Sequence, residues 1–133
     1  MTIRAVTVAN KARNAQSATW TGLLNGDTGA PVAEFDYGRT NRTPSGEKLS
    51  GACVQISGTF GAGGSVQIEG SNDGSTWFVL TGTITAAAPA AIIKTAAYLG
   101  QIVQSALSIR PNVTAGDGST NLTVNVFMAR KRA

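Results

Sequence analysis

The stretch GSVQIEGSNDGSTWFVL, residues 64–80, decides the fold class of this chain. In its first half the apolar residues Val66 and Ile68 alternate with polar neighbours, as in a strand with one buried and one exposed face. Its last four residues, 77–80, are apolar throughout. The Asn, Asp and Gly between the two runs tolerate the positive φ of tight turns, so the stretch predicts a β-hairpin and an antiparallel β protein.

The composition of the chain agrees with this class. The chain has 133 residues, 16 of them glycine, and 14% of its residues are charged. A helical bundle would need more Glu, Lys and Leu. The length predicts one domain over residues 1–133, with a core large enough to fold without disulfides.

Turn signals divide the chain into about eight predicted strands, at the spacing of a β-sandwich or a jelly roll. Residues 90–99 fit either a short helix over 90–97 or an extended segment, and we favour extended or irregular structure. Pro111 is expected to end a strand or to hold it at a bulge. The predicted strands are 3–9, 18–24, 32–37, 49–60, the two arms of the hairpin, 102–110 and 122–128, with 81–85 as another strand or a bent extension of the hairpin.

Two of these strands have clear faces. In 49–60 the predicted core face is Ala52, Val54 and Ile56, with Cys53 and Gln55 on the opposite face. In 122–128 the predicted inward residues are Leu122, Val124 and Val126. Phe127 points outward in that strand with Thr123 and Asn125, where it is placed to cover an interface.

The two ends of the chain differ from its middle. Residues 10–17 are polar and have almost nothing to bury, so they predict a loop or an extended arm that orders against a partner. Residues 1–17 are therefore expected to be an N-terminal strand with an arm. Residues 129–133 are expected to be a basic C-terminal tail.

The distribution of the basic residues argues against a nucleic-acid partner. The net charge is +4, and no run of basic residues is interleaved with aromatic residues. We therefore do not expect a nucleic-acid partner. Basic groups of this kind are expected to be solvated or to face an acidic protein surface.

The residues needed for most catalytic and metal sites are missing. The chain has no histidine and a single cysteine, Cys53, which excludes Ser-His and Cys-His nucleophiles, and it lacks the several Cys and His ligands of a normal zinc site. The turn residues Asp27, Asp73 and Asp117 are expected to have local structural roles. We expect no enzyme, no metal, no cofactor, no secretory signal and no membrane span, and a chain that acts by binding or by building an assembly.

Two stretches carry a resemblance to a known family: VQIEGSNDGSTW at 66–77 and IRPNVTAGDGST at 109–120. They resemble small structural proteins of tailed bacteriophages, above all the capsid decoration or cementing proteins. The resemblance implies a single-domain antiparallel β-sandwich of jelly-roll type. It also implies a homodimer or homotrimer, made in the host cytoplasm, that binds the exterior of the capsid and cements neighbouring major capsid proteins against the pressure of packaged DNA.

The residues that contact the capsid are our own hypothesis. They are basic groups that suit an acidic capsid surface, together with one exposed aromatic residue: Lys11, Arg13, Arg39, Arg42, Phe127, Arg130, Lys131 and Arg132. Two alternatives stay open. One is another phage component, such as a tail or head-completion protein. The other is a carbohydrate-binding module, in which Trp20, Trp77 or Tyr98 would be an exposed stacking platform instead of part of the core.

Overall fold

The computed structural model describes residues 2–12, 15–33, 49–84, 89–104 and 106–130. These residues form fourteen strands and no helix, which confirms the predicted all-β class. Seven strands have five or more residues and seven have two or three, so the predicted count of about eight missed the short strands. In chain order the strands are β1 (Ile3–Arg4), β2 (Thr7–Ala12), β3 (Ala15–Leu23), β4 (Thr28–Gly29), β5 (Val32–Ala33), β6 (Leu49–Thr59), β7 (Ser65–Ser71), β8 (Phe78–Val79), β9 (Thr81–Thr83), β10 (Ala90–Ala91), β11 (Ile93–Lys94), β12 (Tyr98–Ile102), β13 (Ser108–Ala115) and β14 (Asn121–Arg130).

The strands form two seven-stranded sheets. Sheet I has the order β1-β4-β13-β7-β11, with β5 also paired to β13 and β8 to β7. Sheet II has the order β10-β9-β12-β6-β14-β3-β2. The pair β1–β4 is parallel, and the other pairs are antiparallel.

The core is built by alternate residues of the strands in both sheets. The predicted inward residues of β6 and β14 are buried, and Cys53 and Gln55 lie on the opposite face of β6, as predicted. Trp20 is fully buried, and its indole Nε1 donates a hydrogen bond to the carbonyl of Ala30 at 2.9 Å. The buried apolar residues are Ala18, Trp20, Leu23, Val32, Ala52, Val54, Ile56, Val66, Ile68, Leu80, Ile92, Ile102, Ile109, Val113, Leu122, Val124, Val126 and Met128.

The hairpin predicted from residues 64–80 is confirmed, since β7 and β8 pair antiparallel. Its turn is held by Asp73. The amides of Thr76 and Ser75 each donate to Oδ1 of Asp73 at 2.8 Å, and the Ser71 hydroxyl donates to the same oxygen at 2.9 Å. These hydrogen bonds stabilise the ionised carboxylate and lower the pKa of Asp73 to about 2.

Residues 90–99 form no helix, and they are extended apart from a bend at Thr95 and Ala96, which agrees with the structure favoured from the sequence. They form β10, β11 and the start of β12, which pair with β9, β7 and β6. Between β10 and β11 the amide of Ile92 donates to the carbonyl of Leu80, and its carbonyl accepts from the amide of Ile68. These backbone bonds hold the fully buried Ile92 against the core.

The N-terminal segment corrects two predictions. The strand predicted over 3–9 is two strands in different sheets, with β1 in sheet I and β2 in sheet II. The arm predicted over 10–17 is wrong for the described residues, because β2 continues to Ala12 and β3 begins at Ala15. The physical reason is that backbone hydrogen bonds along the edge of sheet II replace the apolar contacts that this polar segment lacks.

An ion pair fixes β1 on sheet I. Arg4 Nε donates to Oδ2 of Asp27 at 2.6 Å, and the Leu24 amide donates to the same oxygen at 2.9 Å. Burial alone would raise the pKa of Asp27, but these hydrogen bonds and the charge of Arg4 outweigh it and lower the pKa. The turn carboxylate therefore has a structural role, as expected.

The region around Pro111 corrects two further predictions. The strand predicted over 102–110 is two strands, because β12 ends at Ile102 and β13 begins at Ser108. Pro111 neither ends β13 nor bulges it, and it lies opposite Ile68. The amide of Val113, two residues on, donates to the carbonyl of Asp27, so the nitrogen of Pro111 faces the same side. That side is the gap between β4 and β5, where no donor is needed.

Candidate docking face

The outer face of sheet II carries two continuous rows of side chains across five strands. Residues opposite each other in paired strands share a face, so the register of the sheet defines the rows. One row is Leu99, Gln55, Asn125, Thr19 and Thr7, and the next is Gln101, Cys53, Phe127, Ser17 and Ala9. With the paired residues around them these form the neutral face: Thr7, Ala9, Ser17, Thr19, Cys53, Gln55, Ser57, Thr83, Leu99, Gln101, Thr123, Asn125 and Phe127.

The neutral face contains no charged residue. Within the strands of sheet II that the structure describes, the charged residues are Lys11 and Arg130. Both lie near the end of the sheet where β2 and β14 finish. Solvated sheet faces normally carry many charged side chains, whereas the centres of protein interfaces are depleted of them. This pattern of charge favours a surface that meets another protein.

The neutral face has a polar floor with two apolar projections. The Asn125 amide donates from Nδ2 to the Thr19 hydroxyl at 2.6 Å, which joins β14 to β3. Ser17 is 4% exposed, although it lies on an outer face. Phe127 and Leu99 project from this floor with 41% and 60% of their surface exposed. Single exposed apolar groups are common on protein surfaces, so the lack of charge is the feature that distinguishes this face.

Cys53 lies in the second row between Gln101 and Phe127. Its side chain is half-buried, and this burial raises the pKa of the thiol. The thiol therefore stays protonated at neutral pH and is not an activated nucleophile. Its position makes it a small contact group and a chemical reporter of access to the neutral face.

The predicted contact residues are brought together in part. Phe127 lies on the neutral face, and Lys11 and Arg130 lie in strands at one end of the same sheet. Of the other predicted residues, Arg13, Arg39, Arg42, Lys131 and Arg132 lie outside the residues that the structure describes.

Most of the neutral face was missed from the sequence. The available signal was that every residue predicted to point outward from the strands 49–60 and 122–128 is uncharged. Gln55 and Asn125 are both predicted to point outward, but the pattern within one strand does not show that these uncharged residues lie side by side in the sheet.

The outer side of sheet I is different, because it carries a buried carboxylate. Glu69 is 6% exposed and accepts hydrogen bonds from Gln67, from Asn112 at 3.0 Å and from Arg110 at 2.9 Å. Burial alone would raise the pKa of Glu69, but these bonds and the charge of Arg110 outweigh it and lower the pKa. The guanidinium of Arg110 in turn lies 4.0 Å from the centroid of the Trp77 ring. The buried carboxylate therefore has its hydrogen-bond partners within the cluster. We call this cluster the clamp, because it joins β7 to β13.

The three aromatic residues considered as platforms for sugar stacking are either buried or in contact with a basic side chain. Trp20 is fully buried, as the more ordinary interpretation predicted. Trp77 is half-buried with Arg110 over its ring, and Tyr98 is half-buried with the Lys94 ammonium 4.3 Å from its ring centroid. Sugar stacking needs an accessible ring face, so these contacts weaken the carbohydrate-binding alternative.

An open cleft of about 480 Å³ lies beside the hairpin turn. Its titratable lining residue is Asp73, whose carboxylate already accepts the hydrogen bonds of its own turn. Among the described residues, no group of three Cys, Asp or Glu side chains is placed to hold a metal ion.

Comparisons of the chain with protein-family models, with curated proteins and with solved structures found no match. Across the described ranges, no helix is long and apolar enough to cross a membrane. What the protein does is therefore inferred from its sequence, its fold and its surfaces.

Proposed function

We propose that this protein is a non-enzymatic structural component of a tailed-bacteriophage virion. It binds the outer surface of the capsid and cements neighbouring major capsid proteins. The observation that carries the proposal is the segregation of charge on sheet II, where Lys11 and Arg130 lie near one end of a broad neutral face. A cementing protein needs separate contact surfaces on a rigid scaffold, and this arrangement supports the proposal.

We infer that the sandwich is of jelly-roll type. The strands β3, β6, β12 and β14 lie in sheet II, whereas β4, β7 and β13, which alternate with them along the chain, lie in sheet I. In addition β14 lies between β3 and β6, and β13 lies between β4 and β7. Last strands that return between early ones are the mark of Greek-key connections, two of which make a jelly roll. This order supports the resemblance to phage decoration proteins.

The basic end of sheet II is the proposed capsid contact. Lys11 and Arg130 lie in strands that finish at this end, and Arg13, Lys131 and Arg132 are close to them in the sequence. Positive groups steer a protein towards an acidic surface and are screened by salt. Many such weak contacts around a shell are collectively strong because attachment is multivalent.

The proposal is tested by co-sedimentation of the purified protein with mature capsids of the source virus that lack it. Saturable binding at a fixed ratio to the major capsid protein, weaker at high salt, is expected. Arg130→Glu is expected to weaken binding. Lys94→Glu, which makes the same charge change on sheet I, is expected to leave it unchanged.

Absence of binding by a monodisperse protein would overturn the decoration role. It would move the inference to a tail or head-completion protein, for which rings or tubes are expected in electron micrographs.

A further inference from the structure

We propose that the neutral face is the surface through which two copies of this chain associate, face to face, about a twofold axis. The inference identifies a surface and its occupant, and it holds whether or not the capsid is the partner of the assembled pair. It rests on the charge, the hydrogen-bonding groups and the size of this face.

The charge of the chain restricts where two copies can meet. Each copy carries a net charge of +4, so identical copies repel each other over most of their surface. The neutral face brings no ionised group into the contact and desolvates none. The outer side of sheet I would instead bury the partly exposed Arg110. The neutral face is therefore the favoured side of the sandwich for self-association.

The side chains of the neutral face are complementary to themselves. In a twofold interface each group meets the same set of groups on the other copy. The amides of Gln55, Gln101 and Asn125 each carry donors and acceptors, as do the threonine hydroxyls, so two such faces can pair in either sense. A partner with a charged surface would leave its own charges unpaired on this face. This favours a second copy over an acidic capsid surface as the occupant.

The size of the face suits a weak dimer. One residue on a sheet face takes up about 4.8 Å across the strands and about 6.7 Å along them, so the thirteen residues of the neutral face cover about 400 Å² per copy. The pair then buries about 800 Å², which is the size of a weak interface. Phe127 lies on β14, the central strand of the five, where an axis through the centre of the face buries it most fully. Dissociation constants of about 1–100 μM are expected for such a contact.

The first test is sedimentation of three proteins over a range of concentrations. Gln55 is exposed in the first row and its amide has no hydrogen-bond partner among the described residues, so Gln55→Lys adds a charge without disturbing the fold. Thr114→Lys adds the same charge at an exposed position of β13 in sheet I. Circular dichroism and thermal midpoints are compared to establish that all three fold alike.

The wild-type chain and Thr114→Lys are expected to associate equally. Gln55→Lys is expected to associate at least about tenfold more weakly, because each dimer then brings two like charges into its interface. A wild-type chain that stays monomeric at millimolar concentration overturns the proposal. Equal association of all three proteins overturns it too, and points to pairing through the exposed strand edges of the sheets.

The second test uses Cys53 as a reporter on the neutral face. Maleimide labelling is measured at mildly alkaline pH, because burial raises the pKa of this thiol. The labelling rate is expected to fall several-fold as the wild-type concentration passes through the dissociation constant, and to stay constant for Gln55→Lys. Association without any protection of Cys53 would show that the copies meet elsewhere.

Capsid binding separates this inference from the proposed function. If Gln55→Lys is monomeric and still binds capsids at low salt, the neutral face serves the pair and the basic end serves the shell. If the wild type is monomeric and Gln55→Lys loses capsid binding, the neutral face is the capsid contact, and self-association through it is refuted while the decoration role stands.

Discussion

Replacement of Arg110 by alanine is expected to destabilise the fold strongly, because it removes the cation beside a buried carboxylate. Arg110 Nε donates to Glu69 Oε1 at 2.9 Å, and its guanidinium lies 4.0 Å from the centroid of the Trp77 ring. The exposed fraction is 7% for the Glu69 side chain and 24% for the Arg110 side chain. Removal of Arg110 therefore leaves the more deeply buried member of the pair, the Glu69 carboxylate, without its counterion.

The expected loss is smaller than for a fully buried pair. Removal of one partner from such a pair costs about 3–5 kcal/mol. Here Asn112 and Gln67 still donate to Glu69 in the variant, and Arg110 is partly solvated, which reduces the loss. The lost contact with Trp77 adds about 0.5–1 kcal/mol. We expect a net loss of about 2–3 kcal/mol in the free energy of unfolding, or about 8 °C in Tm.

The loss is expected to depend on pH with a definite sign. The native pKa of Glu69 is lowered, so its contacts contribute stability above the ordinary pKa of a glutamate, and this contribution disappears as the pH falls through the lowered value. In Arg110→Ala the burial of the carboxylate is opposed by fewer contacts, so the native pKa rises. Protonation of Glu69 then removes the buried charge, and this reduces the loss of stability in the variant. The difference in stability between wild type and variant should shrink between pH 7 and pH 3.5.

The assay is urea unfolding followed by tryptophan fluorescence, at a protein concentration too low for self-association. Lys94→Ala is the control, because its ammonium lies over Tyr98 and no carboxylate pairs with it among the described residues. The control is expected to cost less than about 1 kcal/mol. A loss below about 0.5 kcal/mol for Arg110→Ala, or a loss that is the same at both pH values, would refute the clamp.

Three further predictions concern a carboxylate, a turn and the core. Hydrogen bonds from Ser119 and the Ala62 amide lower the pKa of Asp117 to about 2, so stability is expected to fall as the pH drops from about 4 towards 2. Asp117→Asn should lack part of this fall in acid unfolding measurements, and an identical pH profile would contradict the assignment. Gly74→Ala is expected to lower the free energy of unfolding in urea by about 1 kcal/mol, because Gly74 has φ +77. Gly118 has equally open space around it and no positive φ, so Gly118→Ala should lower it little. Equal losses in the two variants would contradict a backbone origin. Trp77→Phe leaves Trp20, which is fully buried, as the remaining tryptophan, so the emission of this variant should be blue-shifted and insensitive to acrylamide. Quenching like that of free tryptophan would argue against this core.

The parts of the fold that could be predicted from the sequence are those with local causes. The hairpin follows from turn residues between two strand-like runs, and the faces of β6 and β14 follow from alternation over long stretches. Residues 3–9 and 102–110 were each predicted as one strand, because the point at which a chain changes sheets depends on distant partners. Pro111 was misjudged for the same reason, since its place inside β13 depends on the gap between β4 and β5.

The candidate site shows the same division. Phe127 was recognised as an outward apolar residue from the alternation of its own strand. Its place beside Cys53 and Ser17 depends on strand order and register, which follow from long-range pairing and not from local pattern. Strands that are distant in sequence therefore build the neutral face, and pattern within one strand does not reveal it.

The position of the last strand has a mechanical consequence. Over its length β14 is bonded to β6 on one side and to β3 on the other, with ten and seven residue pairs in register. A force that pulls along the C-terminal strand must shear both ladders at once, whereas a force on the edge strand β2 meets a single ladder. The molecule is therefore expected to resist force well when it is loaded through its final strand, and less well when the edge strand β2 is peeled away.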